Sequence, residues 1–284
     1  MEIPACDYAL IGGSSTLSVN IPEELGLDYV RVLAADLNFD TPFGASPAFK
    51  LLAVKGEDGE RCVLSCRMHG WRKGVTRADA SRQIFWVFQQ AGVKRVLAEG
   101  GVGAINYLLR PRDLVIPHDY MDFSMRQDVG LGDKYLLVMR ESLCPQMRQV
   151  LRQVSEESWH ERVFDLSVYA NTDGRHFESP AEINSYKILG ADIVGQSICP
   201  EVYLAREIGA CYAGIYLVVN YAEGIVAPWS HRELAEIFYS EGYEIGKILF
   251  AAIKRMPGER RCNCRELRKD TLLKGVYEED EDAE

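Results

Sequence analysis

The chain has no run approaching the roughly 20 consecutive apolar residues needed to cross a bilayer, and its start, Met1-Glu2-Ile3-Pro4, is acidic where a secretory signal is basic. A membrane span is not expected, and a cytoplasmic location is. Basic charge is also short. Lys+Arg number 32 against 42 Asp+Glu, a formal −10, which argues against a nucleic-acid backbone or an anionic membrane surface as the main partner. Close-set cysteines are nearly missing: Cys6, Cys62, Cys66, Cys144, Cys199 and Cys211 are scattered among apolar neighbours, the pattern of reduced core thiols rather than of a secreted disulfide framework. Only Cys262-Asn263-Cys264 is tight, and with no second pair nearby no metal site is expected. Two phosphate-binding fingerprints are absent as well, the Gly-Lys-Ser/Thr of a P-loop and the three spaced glycines of a dinucleotide fold.

What is present suits a globular enzyme or binding domain. The 284 residues are 47% hydrophobic and 26% charged, enough for one large domain or two small ones. Six of the last seven residues, Glu278 to Glu284, are acidic; without them 36 acids face 32 bases, a body of formal charge −4. No linker, repeat or low-complexity stretch interrupts the chain before about residue 255. A single domain over 1–254 is therefore expected, with 255–284 as an extension ending in a solvated, disordered acidic tail.

Apolar strand-like runs recur at Tyr8 to Ile11, Arg61 to Ser65, Val93 to Ala98, Asp113 to Pro117, Val163 to Tyr169, Ala191 to Val194 and Ala210 to Val219. Helical patterns fall between them at Ala78 to Ala91, Pro145 to Ser155, Ser179 to Leu189, Glu201 to Ile208 and Ser230 to Ile253. This alternation predicts an α/β sandwich with a parallel or mixed central sheet covered by helices on both faces.

Several polar constellations sit at strand ends, where open α/β folds place ligands. Gly12-Gly13-Ser14-Ser15 follows a strand, and its backbone N–H groups and hydroxyls could converge on an anion; a plain tight turn fits equally. Arg67 and His69 are two apart, so a continuing strand would point both the same way, offering a cationic fork and a donor for phosphate. A surface Arg beside a capping His is the alternative. Ala98 to Ala104, with Gly100, Gly101 and Gly103, reads as a glycine-rich turn that lets backbone approach a ligand, or as a purely structural turn. Ser179 and Pro180 mark a helix start, placing Phe177 and Glu178 just before it, as a ring and an acceptor for a flat ligand or as a core aromatic and a solvated acid. Asn220 ends the buried strand Ile215 to Val219, and an amide there needs a ligand or a fixed network.

The ordered set Phe-Glu-Ser-Pro-Ala-Glu (177–182), Gly-Ala-Asp-Ile-Val-Gly-Gln-Ser (190–197) with Pro200-Glu201-Val202, and Val-Val-Asn (218–220) closely resembles the trimeric purine nucleoside phosphorylases, including the 5'-methylthioadenosine and 5'-methylthioinosine phosphorylases. Gly12 to Ser15, the early hairpin Thr41-Pro42-Phe43-Gly44, Arg67-x-His69 and Pro111 to Pro117 follow in that family's order, over about residues 8 to 254. The resemblance implies a three-layer α/β/α nucleoside phosphorylase fold. It assigns Ser14, Arg67, His69, Gly101 and Ser197 to phosphate, with His69 and Asn220 catalytic. Phe177, Glu178, Gln196 and Asn220 fall to the nucleoside, and Trp71 and His231 to the 5' end of the sugar. It implies phosphate as co-substrate, no cofactor and no metal, and a homotrimer or hexamer with Tyr120 to Leu137 near the interface. Cys262 and Cys264 resemble a C-terminal pair that forms a disulfide in some methylthioadenosine phosphorylases. Members that take 6-aminopurines resemble one another in carrying Asp at the Asn220 position and two residues beyond. Asn220 and Ala222 therefore imply a 6-oxopurine: inosine, guanosine or 5'-methylthioinosine.

Three residues depart from the pattern: Ser15 replaces a glycine, Gln196 a methionine, and Glu99 brings a carboxylate beside the second loop. A carboxylate near an anion is unfavourable unless paired or turned away. That leaves open a nucleoside hydrolase or specialised ribosyl-transferring enzyme, and a non-catalytic nucleoside-binding protein.

Overall fold

The computed structural model describes residues 2–132 and 134–272, so the reading of the acidic tail lies outside the described residues. The spine is a run of parallel strands, β1 (Tyr8–Ile11) between β6 (Gly59–Cys66) and β7 (Arg95–Ala104), with β14 (Cys211–Tyr221) on the far side of β7. These runs are apolar on both sides, as strands covered by helices must be. In β1, Ala9 and Ile11 enter one core while Tyr8 and Leu10 enter the other. The first core is closed by α1 (Arg77–Ala91) and α4 (Ile198–Glu207), the second by α2 (Pro145–Ser158) and α5 (His231–Arg255). The expected three-layer α/β/α sandwich around a mixed sheet is therefore present.

On one side the sheet is extended by an antiparallel meander, β2 (Val30–Leu37) and β5 (Phe49–Gly56) against β6, with the short hairpin β3 (Asp40–Thr41) and β4 (Gly44–Ala45) between them. The strand reading did not include β2 or β5. Most of β2 is exposed and its register shifts twice, so no clean alternation marks it. On the other side β8 (Leu114–Val115) pairs antiparallel with β14, and β11 (Val163–Phe164) completes that edge.

A branch leaves the sheet at β7. Its last residues pair antiparallel with β13 (Ile193–Gly195), which continues to β12 (Val168–Asn171) and β9 (Asp119–Asp122). The last β1 partner on β7 is Ala98 and the first β13 partner is Gly103. Glu99 to Val102 thus pair with β14 on one side only, and the site opens there. This corrects the expected glycine-rich turn: residues 98–104 are the second half of one strand, and the glycines serve side-chain approach rather than a reversal of the chain. A small satellite core holds α3 (Pro180–Ile188) against this branch through Ile183 and Tyr186.

Beyond α5, residues 257–270 return across the molecule, and β15 (Arg268–Asp270) pairs with β10 (Tyr135–Leu137). Cys6 and Cys62 are joined by a disulfide, which corrects the reading of every scattered cysteine as a reduced thiol: the segment before β1 and strand β6 lie side by side, a proximity that their 56-residue separation conceals. The other six cysteines, Cys262 and Cys264 included, are free. Among the described residues no helix is long and apolar enough to cross a membrane.

Candidate active site

The carboxyl ends of β1, β6, β7, β13 and β14 converge on one cavity of about 200 Å³, lined among others by Ser14, His69, Trp71, Gly101, Phe177, Glu178, Gln196, Ser197 and Asn220. Nine of the residues proposed from sequence are thus brought together. Two are not. Arg67 is exposed and its guanidinium donates to Leu17 O at 2.8 Å, outside the lining. His231 is the first, exposed residue of α5 and is also outside it.

The separation of Arg67 from His69 has a backbone cause. Strand β6 stops at Cys66, and Met68 and His69 both take positive φ, 50° and 51°. The strand geometry that would have pointed both side chains one way therefore does not continue. His69 folds inward, its N–H donating to Gly12 O at 3.0 Å, which locks the turn after β6 to the loop after β1.

His69 is 2% exposed, and its Nδ1 lies 2.8 Å from Glu201 Oε1. Tyr212 Oη donates to the other oxygen of Glu201 at 2.8 Å. Both Glu201 oxygens thus accept, the Nδ1–H of His69 points to Glu201, and Nε2 is left facing the loop after β1. A Cβ built on Gly13 would stand 2.6 Å from that Nε2; only glycine lets the ring reach the loop. Glu201 belongs to the Pro-Glu-Val of the sequence signature, but its role was not legible because its partner is 132 positions away.

The loop after β1 already holds an anion of its own. Glu99 is completely buried, and its carboxylate accepts from the N–H groups of Gly13, Ser15 (3.1 Å) and Thr16 (3.3 Å) and from the Thr16 hydroxyl (2.6 Å). The conflict expected from this residue is resolved by pairing: the charge is turned into the back of the loop and neutralised by its amides. Ser14 remains on the cavity side, where Gly101 N–H donates to its Oγ at 2.9 Å. A Cβ at Gly101 would meet Phe238 at 2.8 Å and Ser14 Oγ at 3.1 Å, so this position is glycine for space.

At the opposite end, α3 begins with a complete capping box: Ser179 Oγ accepts from Glu182 N–H while the Glu182 carboxylate accepts from Ser179 N–H. This fixes the preceding Glu178, which is 5% exposed and accepts from the Thr172 hydroxyl at 2.5 Å. Phe177 meets Trp229 edge to face at 4.8 Å. Asn220 sits at a register shift in β14 and spends one N–H on Tyr221 O at 2.7 Å, leaving its other N–H and its carbonyl oxygen for a ligand.

Gln196 and Trp71 are joined by a residue that sequence reasoning did not single out. Arg77 Nη1 donates to Gln196 Oε1 at 3.0 Å and to Asp173 O at 2.6 Å, and its guanidinium lies 3.8 Å above the Trp71 ring. Burial, with Arg126 and Arg175 close by, lowers Arg77 to about 10. The polar Gln196 is thus accounted for as an acceptor for a half-buried cation. Ser197 completes the cavity beside Tyr169, whose hydroxyl is 3.4 Å from its Oγ and is pushed up by burial.

Comparison with known proteins places this geometry in context. The family model described as the phosphorylase superfamily matches residues 9–254. The probable 6-oxopurine nucleoside phosphorylase of Thermococcus kodakarensis is 34% identical over 282 residues, covering 92% of this chain and 97% of that protein. The probable S-methyl-5'-thioinosine phosphorylase of Methanopyrus kandleri is 36% identical over 64% of this chain and 73% of its own length. Among solved structures, the methylthioadenosine phosphorylase of Schistosoma mansoni in complex with adenine superposes with a TM-score of 0.73 at 22% identity, over 89% of this chain and 92% of that one, a likeness of fold.

Proposed function

We infer that this chain, which belongs to the phosphorylase superfamily, cleaves the N-glycosidic bond of a 6-oxopurine nucleoside with inorganic phosphate, giving the free base and a ribose 1-phosphate. The observation that carries this reading is the gathering in one cavity of polar groups suited to phosphate, on Ser14, His69, Gly101 and Ser197, with Phe177, Glu178 and Asn220, a ring, an acceptor and an amide suited to a purine. Relatives named for 6-oxopurine nucleosides and for methylthioinosine support the substrate class.

The chemistry follows from where charge develops. As the glycosidic bond breaks, the ribosyl ring becomes positive and the departing purine negative. Phosphate held by the Ser14 and Ser197 hydroxyls, with Gly101 N–H fixing the Ser14 Oγ and His69 Nε2 accepting from the phosphate's own P–OH, stabilises the first charge and then captures the anomeric carbon. Glu201 steadies His69 for that task. Asn220 donates to the purine ring nitrogen as its charge grows, an interaction stronger in the transition state than in the ground state. Glu178 accepts from the ring N–H that a 6-oxopurine carries, and alignment of the two substrates removes entropy from the barrier. Trp71, held by Arg77, lies against the sugar. We assign neither Arg67 nor His231 a contact. The reaction calls for no redox group or covalent enzyme intermediate, and phosphate is the co-substrate.

A second reading is favoured by Glu99 alone: because the loop amides are already engaged, water rather than phosphate would attack, making the enzyme a hydrolase. Purine release from inosine, guanosine and 5'-methylthioinosine, measured with and without phosphate, separates the two. Strict phosphate dependence with ribose 1-phosphate as product upholds phosphorolysis; undiminished release in phosphate-free buffer overturns it. Tight purine binding without turnover in either buffer would leave a non-catalytic nucleoside-binding protein.

We also propose a homotrimer acting in the cytoplasm. Support for assembly lies in the exposed apolar side chains Phe123, Met125 and Leu136 within Tyr120 to Leu137. Light scattering should give three times the 32.0 kDa chain mass; the mass of one chain would refute the assembly.

A further inference from the structure

The four cysteines at the base of the sheet have no part in the reaction. Cys144 caps the N-terminus of α2, Cys211 opens β14, and Cys262 and Cys264 lie on the segment after α5. Their four sulfurs all fall within 4.8 Å of one another, with Cys211 Sγ and Cys262 Sγ 3.3 Å apart. Three of the four side chains are at most 2% exposed, and none of the four is bonded, although the same chain joins Cys6 to Cys62.

We propose that Cys144, Cys211, Cys262 and Cys264 form a tetrathiolate site for a structural zinc ion. Four mutually close sulfurs are what a tetrahedral ion requires: with Zn–S of about 2.3 Å, ligand sulfurs stand about 3.8 Å apart, within the observed spread. Two separate disulfides require a pairwise arrangement instead, each pair about 2.05 Å apart. Zinc displaces one proton from each of the four thiols and leaves a centre of net charge −2. The surroundings suit that charge. The helix start at Cys144 presents backbone N–H groups. Arg206, 2% exposed, donates to Cys264 O at 2.8 Å.

The sequence argued against metal because Cys262-Asn-Cys264 lacks a second close pair; the fold supplies the missing ligands singly, from residues 51 and more positions away. The ion fastens the segment after α5 to the sheet. That segment has little apolar surface of its own to bury, Cys264 and Leu267 being its buried side chains after Met256, so metal binding provides folding free energy there.

The test uses the full chain and zinc itself. Protein isolated without chelator should carry one zinc per chain by elemental analysis. After reduction and metal removal, cobalt(II) should restore a thiolate charge-transfer band and the intense visible bands of tetrahedral coordination. Limited proteolysis of the metal-free protein should open cleavage within 257–270, which added zinc closes. C262S and C264S should each lose stoichiometric zinc, while the double variant Cys6→Ala, Cys62→Ala keeps it. Zinc far below one per chain after reconstitution of the reduced wild-type protein, with no tetrahedral cobalt spectrum, would overturn the proposal. So would peptide mapping that finds these four cysteines paired in disulfides in freshly isolated protein. Neither result depends on whether the enzyme uses phosphate.

Discussion

If the proposed function holds, two side chains carry the sharpest tests at the scale of single residues. Glu99 organises the loop that presents Ser14, because its two oxygens meet three N–H groups and a hydroxyl. In Glu99→Gln one acceptor becomes an NH2 facing those donors. Leaving a buried group unpaired costs about 1–3 kcal/mol, and the loop should loosen. We expect a lowered melting temperature and a phosphate KM raised about tenfold, the equivalent of about 1.4 kcal/mol; an unchanged phosphate KM would show that the loop does not bind phosphate. On the proposed reading Asn220 governs the base. Asn220→Asp replaces a donor with a carboxylate that repels growing negative charge on a 6-oxopurine. Its kcat/KM for inosine should fall about 100-fold while the ratio of adenosine to inosine rises. An unaltered ratio would refute the assignment of Asn220 to the purine.

At the scale of elements, local sequence signals specified the pieces well and their meetings less well. Ser179-Pro180-Ala181-Glu182 reads as a helix start because the capping box is contained in four consecutive residues, and β1, β7 and β14 read as buried strands because both their faces are apolar. The inward turn of His69 was hidden, since it depends on two consecutive residues at positive φ that the pattern Arg-Met-His does not announce. Glu201 and Arg77 were silent for another reason: each acts on a partner brought close only by the tertiary fold. The glycines of β7 suggested a turn, whereas small side chains were needed there so that Phe238 and Ser14 could pack against a continuing strand. The cap on α3 allows a test at this scale. Ser179→Ala should destabilise the protein by about 1 kcal/mol, read from denaturant unfolding. Because Glu178 immediately precedes the cap, KM for the nucleoside should rise more than KM for phosphate. Equal changes in both would argue that the cap has no part in base recognition.

At the scale of the whole molecule, the branched sheet sets what can move. His69 follows β6 and Ser197 follows β13, and both side chains are at most 7% exposed, while Phe177 stands 46% exposed beside Trp229. These polar groups therefore form the floor of the cavity and the aromatic pair its mouth. On the reading proposed above, the gap in the pairing of β7 acquires a kinetic meaning. A nucleoside already seated would obstruct the route to the floor, so phosphate enters first; the base departs through the mouth, and the sugar phosphate, bound deepest, leaves last. Ribose 1-phosphate should then inhibit competitively against phosphate, whereas a mixed pattern would indicate a second way in. The place where two strands part from a third thus dictates the sequence of arrivals and departures in each turnover.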